Sequence, residues 1–147
     1  MTAERYLQSI RDMRFMLERL EIRRDSIHTP INSGAITYDN IHVQTSPDGG
    51  KLENDVIRTV HQIERLDAEI KRRRERFEAR KQEATDRIMS MNEGQCRRFL
   101  LDYYIDGKSI KDLEEAYRYI GLNSIYNLKK RAIKKYSRVH KSLNRAE

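Results

Sequence analysis

Lys130, Lys134, Arg138 and Lys141 recur in steps of four and three, with Asn127 and Arg131 beside them on the same side of the pattern. Between residues 123 and 146 there are eight Lys or Arg residues and no Asp or Glu. Ile125, Leu128, Ala132, Tyr136 and Val139 take the opposite side at the spacing of a buried helical face. A helix with a wholly cationic outer side suits a polyanion, because each neutralised phosphate releases condensed counterions. The residue types divide by role. Asn127 matches the hydrogen-bonding edge of adenine, and Lys130 and Arg131 match guanine. Lys129, Lys134, Lys135 and Arg138 are placed to touch phosphates, fixing position without reading sequence. Tyr126 has two roles open to it, base or thymine-methyl contact and inward packing.

Other chemistry finds little support. The four histidines, His28, His42, His61 and His140, are dispersed, and no His or acidic pair stands at a helical metal spacing with further ligands. Neither a metal nor any other cofactor is expected. Cys96 is the single cysteine, so no intrachain disulfide can form; it has no base near it in sequence and is expected to pack as a small apolar residue. Gly49-Gly50 lacks the preceding strand and the following Gly-Lys-Ser/Thr of a phosphate loop. Glu114 and Glu115 are adjacent on a helix and face apart. The chain reads as a binding protein rather than an enzyme.

The elements that must position the basic helix are legible in outline. Leu7, Ile10, Met13, Leu17, Leu20 and Ile27 predict one helix over residues 3–27, with Arg24 at one expected apolar position. Thr29-Pro30 ends it. Residues 28–50 hold both prolines and half of the six glycines but no Lys, Arg or Glu, and predict an irregular connection. Leu52, Val56, Val60, Ile63, Leu66, Ile70 and Phe77 predict a second long helix from residue 51 to about 90. Its basic run Lys71-Arg72-Arg73-Arg74 is interleaved with Glu69, Glu75, Glu78 and Glu83, as on a salt-bridged exposed helix. The matching stripes predict an antiparallel hairpin or a coiled coil between subunits, so a homo-oligomer through these helices stays open.

Residues 92–147 predict a compact helical unit. Asn92 is the expected N-cap of a helix bearing Phe99, Leu100, Tyr103 and Tyr104, of which at least one tyrosine belongs to the core. A turn at residues 105–108 leads to Ser109 and Asp112, a capping box for a short helix to about Tyr117. A second turn at residues 119–122 precedes the basic helix, capped by Asn123 or Ser124. Helix, turn, short helix, turn, basic helix is the order of a helix-turn-helix, whose last helix enters the major groove.

Charge and composition fit that division. The 147-residue chain carries a formal charge of +7, with 36% charged residues and no Trp. Thirteen basic residues face seven acidic ones at 92–147, whereas residues 1–27 hold six and five, and residues 51–91 hold eleven and nine. The excess charge therefore falls in the C-terminal unit and locates an anionic partner there. No apolar run approaches the roughly 20 residues of a membrane span, and the N-terminus lacks the basic-then-apolar pattern of a secretory signal. A cytoplasmic location is expected, with no membrane partner.

The segment DYYIDGKSIKDLEEAYRYIGLNSIYNLKKRAIKKY resembles the promoter-reading helix-turn-helix of sigma factors, region 4. Over nearly its full length the chain resembles a family of small phage-encoded transcriptional regulators with a sigma-like C-terminal domain. YLQSI near the start, VQTSPDGGKLENDV at residues 43–56, and YYIDGKS followed by IYNLKKRAIKKY carry the likeness. Between the last two helices the chain reads LEEAYRYIGLNS, one residue longer than such domains, which leaves the register of Glu114, Glu115 and Ala116 open. The resemblance implies an all-α protein with a helical hairpin or coiled coil at 1–91 and a helix-turn-helix at 92–147. It further implies recognition-helix roles for Asn123, Ser124, Tyr126, Asn127, Lys130 and Arg131, and a regulator of phage or prophage genes in a bacterial host cell. Contact with host RNA polymerase follows from the sigma likeness, as an activator of late genes rather than a complete sigma factor. Two rival readings remain, a DNA-packaging protein like a small terminase subunit and a coiled-coil interaction adaptor.

Overall fold

The structure, a computed structural model, describes residues 1–27, 49–118 and 121–146. Among these residues the protein is all-α: α1 (Ala3–Ser26), α2 (Gly49–Met89), α3 (Gly94–Leu100), α4 (Ile110–Ala116) and α5 (Leu122–Ala146), with one π-helical turn (Leu101–Ile105) continuing α3. No helix among the described residues is long and apolar enough to cross a membrane. The expected irregular connection lies outside the described residues through position 48, as do Thr29-Pro30 and the turn residues Tyr119 and Ile120. Gly49 and Gly50, expected in that connection, already belong to α2.

The chain divides into two compact units. One contains Met1–Met16 and Arg74–Glu147, the other Leu17–Arg73. The ends of both long helices carry buried side chains that belong with the C-terminal elements: Leu7 and Ile10 of α1, and Phe77, Ala84 and Ile88 of α2. Within this unit the two helices run antiparallel. The Tyr6 hydroxyl donates to Glu83 (2.8 Å), while Arg80, earlier in α2, reaches Ser9 Oγ (3.4 Å) and Met13 Sδ (3.9 Å), later in α1.

In the unit of Leu17–Arg73, the buried apolar side chains among the described residues are Leu17, Leu66 and Ile70. Arg24, at an expected apolar position, instead pairs with Asp67 (2.9 Å). Ile22, Ile57 and Val60 are exposed, so the apolar stripe of α2 is not continuously covered. The interleaved acids do pair along α2, Glu69 with Arg73 (3.0 Å) here and Glu83 with Arg87 (2.5 Å) in the other unit.

The C-terminal elements meet around Cys96, Phe99, Leu100, Tyr104, Leu113, Ile125 and Tyr136, all buried. α5 packs against α3 and α4, and the π turn against α3 and α4. Tyr104 is in this core, whereas Tyr103 is half-buried, so the pair divides as adjacent helical residues must. The capping box forms as expected. Ser109 Oγ accepts from the Asp112 N–H and the Asp112 carboxylate accepts from the Ser109 N–H, each at 3.1 Å. The Ser109 N–H, and after it the Ser109 hydroxyl, hold the Asp112 carboxyl below its ordinary pKa. Two other caps differ from expectation. Glu93, not Asn92, is the N-cap of α3. Asn123 and Ser124 lie within the first turn of α5, where the Ile125 N–H bonds to the Gly121 carbonyl (3.1 Å). In both cases the helix begins at a different residue than the local cap preferences indicate, because tertiary contacts compete with propensity.

The end of the π turn is sealed by arginines from α1. Arg11 donates to the carbonyls of Tyr103 and Lys108, the latter at 2.9 Å, and its guanidinium lies 4.0 Å from the Tyr103 ring centroid. Arg14 Nε donates to the Ile105 carbonyl (2.9 Å). Helix C-terminal carbonyls lack intrahelical donors, and a cationic side chain satisfies them with favourable charge. Gly107 completes the turn at φ +76, and a β-carbon there would fall 2.7 Å from Arg14 Cδ. Gly107→Ala is therefore expected to cost about 1–3 kcal/mol, from left-handed backbone strain and displacement of an anchored arginine. Urea unfolding of the two chains measures it, and equal midpoints would refute the constraint.

Candidate nucleic-acid interface

The sequence folds α5 as one 25-residue helix because its apolar positions repeat at 3.6-residue spacing over its whole length. Ile125, Leu128, Ala132 and Tyr136 are buried, and Val139 is half-buried. This fixes the opposite side outward. Asn123, Asn127, Lys130, Lys134, Arg138 and Lys141 form one exposed stripe along the helix, with no acidic side chain in it. Lys130, Lys134 and Arg138 form no ion pair with any described residue. Ser124 is also exposed, at the start of the helix.

Tyr126 is 47% exposed, which removes the inward-packing role left open by its spacing. It borders an open groove of about 710 Å³ along α5, lined also by Lys130, Lys134, Arg138 and, from α1, Glu4. Lys130, Lys134, Arg138 and Lys141 of the cationic stripe line this groove.

Three of the expected contact residues are engaged within the protein. Lys129 is half-buried, with its ammonium 5.0 Å from the Tyr103 ring centroid. Arg131 Nη2 meets Glu93 Oε1 (3.0 Å) and Gln95 Oε1 (3.1 Å), and Lys135 Nζ meets Glu93 Oε2. The structure thus brings Asn123, Asn127, Lys130, Lys134 and Arg138 together on the open side and turns Arg131 and Lys135 toward α3. Nothing in local sequence indicates this, since Glu93 is about forty positions away from both.

Two supports hold α5 in place. At its start, Leu113 and Tyr117 of the α4 region are buried, whereas Ala116 is exposed. The Tyr117 hydroxyl donates to Asp102 (2.6 Å), tying the end of α4 to the π turn. Toward its other end, His140 Nδ1 lies 2.6 Å from Arg87 Nη1, and Glu83 holds the same guanidinium at 2.5 Å. The imidazole also faces the rings of Tyr6 and Tyr136, at 5.6 and 5.9 Å. An arginine can only donate, so His140 Nδ1 accepts and the ring is neutral. Burial, then the Arg87 charge, hold its pKa below the ordinary 6.5.

The pH consequence has a definite sign. As pH falls below 6.5, the unfolded chain takes up the proton first, so this contribution is complete above that pH and lost as pH drops toward the folded value. Thermal midpoints measured from pH 7 to about 5 should fall more steeply for the parent than for His140→Gln. Parallel profiles would refute the assignment.

Among the described residues no group of three or more His, Cys, Asp or Glu side chains is placed to hold a metal ion. His28 and His42 lie outside the described residues. Cys96 is wholly buried, which denies it contact with a substrate. No family model, curated protein or solved structure matches this chain.

Proposed function

We propose that the protein is a double-stranded-DNA-binding transcription regulator of phage or prophage genes, with α4 and α5 as its helix-turn-helix and α5 as the helix that enters the major groove. The observation that carries this reading is the acid-free stripe Asn123, Asn127, Lys130, Lys134, Arg138 and Lys141, exposed along a helix whose other side is buried. Cations on such a stripe meet phosphates, while the two asparagines and Lys130 have the donors that base edges require. Tyr126, exposed beside them, is the aromatic available to a thymine methyl or a sugar. The sigma-like sequence supports the further reading as a late-gene activator that touches host RNA polymerase.

Selection of bound duplexes from a random pool tests the proposal, followed by footprinting of the selected site. Enrichment of one short motif supports a regulator. Duplex binding without enrichment, combined with ring-shaped oligomers by light scattering, supports DNA packaging instead. Absence of any duplex binding would leave the helical-hairpin adaptor as the better account.

A further inference from the structure

We propose that Glu93 acts as a resident competitor for DNA phosphates, holding Arg131 and Lys135 and setting how tightly the basic helix grips any duplex. This rests on the DNA-binding reading of α5 and identifies how that surface is tempered. Glu93 is the N-cap residue of α3, yet its side chain makes no capping hydrogen bond. Its carboxylate instead turns to α5. Oε1 accepts from Arg131 at 3.0 Å, and Oε2 takes the Lys135 ammonium. Gln95 adds a second acceptor for Arg131 at 3.1 Å.

A carboxylate presents two acceptor oxygens to the same N–H donors that a phosphate takes, so the same two cations cannot serve both without exchange. Arg131 and Lys135 side chains remain 50% and 39% exposed, which leaves them within reach of an incoming duplex. Exposed ion pairs are individually weak, so a phosphate can displace the carboxylate. One acid cancels one of the two cationic charges. Glu93 thus lowers the effective phosphate count of the helix by about one, while Lys130, Lys134 and Arg138 make no ion pair with a described residue.

The test measures binding of a labelled random-sequence duplex over a salt series, for the parent, Glu93→Gln and Glu75→Gln. Glu75 is exposed on α2, outside the proposed helix-turn-helix, and its substitution makes the same change in net charge. Glu93→Gln is expected to bind about fivefold more tightly at 0.15 M salt, with a salt slope steeper by about one. Glu75→Gln is expected to change affinity by less than about twofold, because a charge outside the interface acts only through screened long-range attraction. Unchanged or weaker binding by Glu93→Gln overturns the proposal. An equal gain in Glu75→Gln also overturns it, since net charge alone would then account for the effect. A parent that binds no duplex overturns both this proposal and the DNA-binding reading, whereas a binding parent with an inert Glu93→Gln overturns only the former. Matching thermal unfolding of all three chains excludes a folding effect.

Discussion

A chain carrying Lys130→Glu, Lys134→Glu and Arg138→Glu is expected to lose about a thousandfold in duplex affinity at 0.15 M salt. Each lost phosphate contact removes about fivefold through counterion release, and each new carboxylate adds repulsion. The salt slope should fall by about three, and this second readout separates lost phosphate contacts from a distorted fold. The folded state should be largely untouched. All three side chains are exposed, and none makes an ion pair with a described residue. Surface substitutions of this kind usually change stability by less than about 0.5 kcal/mol each. Affinity within about threefold of the parent, with an unchanged slope, would eliminate α5 as the DNA-facing element.

Phe99→Ala is expected to destabilise the unit of Met1–Met16 and Arg74–Glu147 by about 3–5 kcal/mol, the usual cost of emptying a large aromatic site. Phe99 is wholly buried on α3, and its ring stacks on Tyr103 at 5.6 Å. The same element packs against α5. Removing it would therefore weaken the platform that holds the cationic stripe outward, although Phe99 itself is wholly buried and offers no surface to a partner. Urea unfolding followed by circular dichroism measures the loss. A change under about 1 kcal/mol would mean the α3–α5 contact is not a packed core. Duplex affinity should then be compared at a temperature where the variant is still folded. Near-parent affinity there would confine the residue to stability, in contrast to the charge reversals, which act on binding alone.

Features governed by neighbours along one helix were legible without coordinates. The capping box of Ser109 and Asp112 needs only three residues of separation, and it forms with both hydrogen bonds. The acidic partners along α2 act at four-residue spacing and were equally readable. The buried side of α5 followed from a single periodicity. Val60 and Ile22 show the limit of that method. Both are apolar, yet both stay exposed, because spacing indicates a side of the helix without supplying anything to cover it.

By itself, then, the sequence determined which segments are helical and which side of α5 carries charge, since side-chain periodicity and short-range hydrogen bonds act within a few residues. Tertiary structure alone decided which cations stay free and which are held. Arg11 and Arg14 seal carbonyls more than ninety positions away, and Glu93 claims Arg131 and Lys135 from a different helix. Such pairings depend on where chain reversal places each helix end, and an arginine's sequence neighbours contain no record of a carbonyl or carboxylate that will arrive from so far along the chain. The two compact units follow from the same cause. Leu7 and Ile10 are buried in the unit that contains α5, so the first part of α1 and the whole of α5 belong to one compact unit.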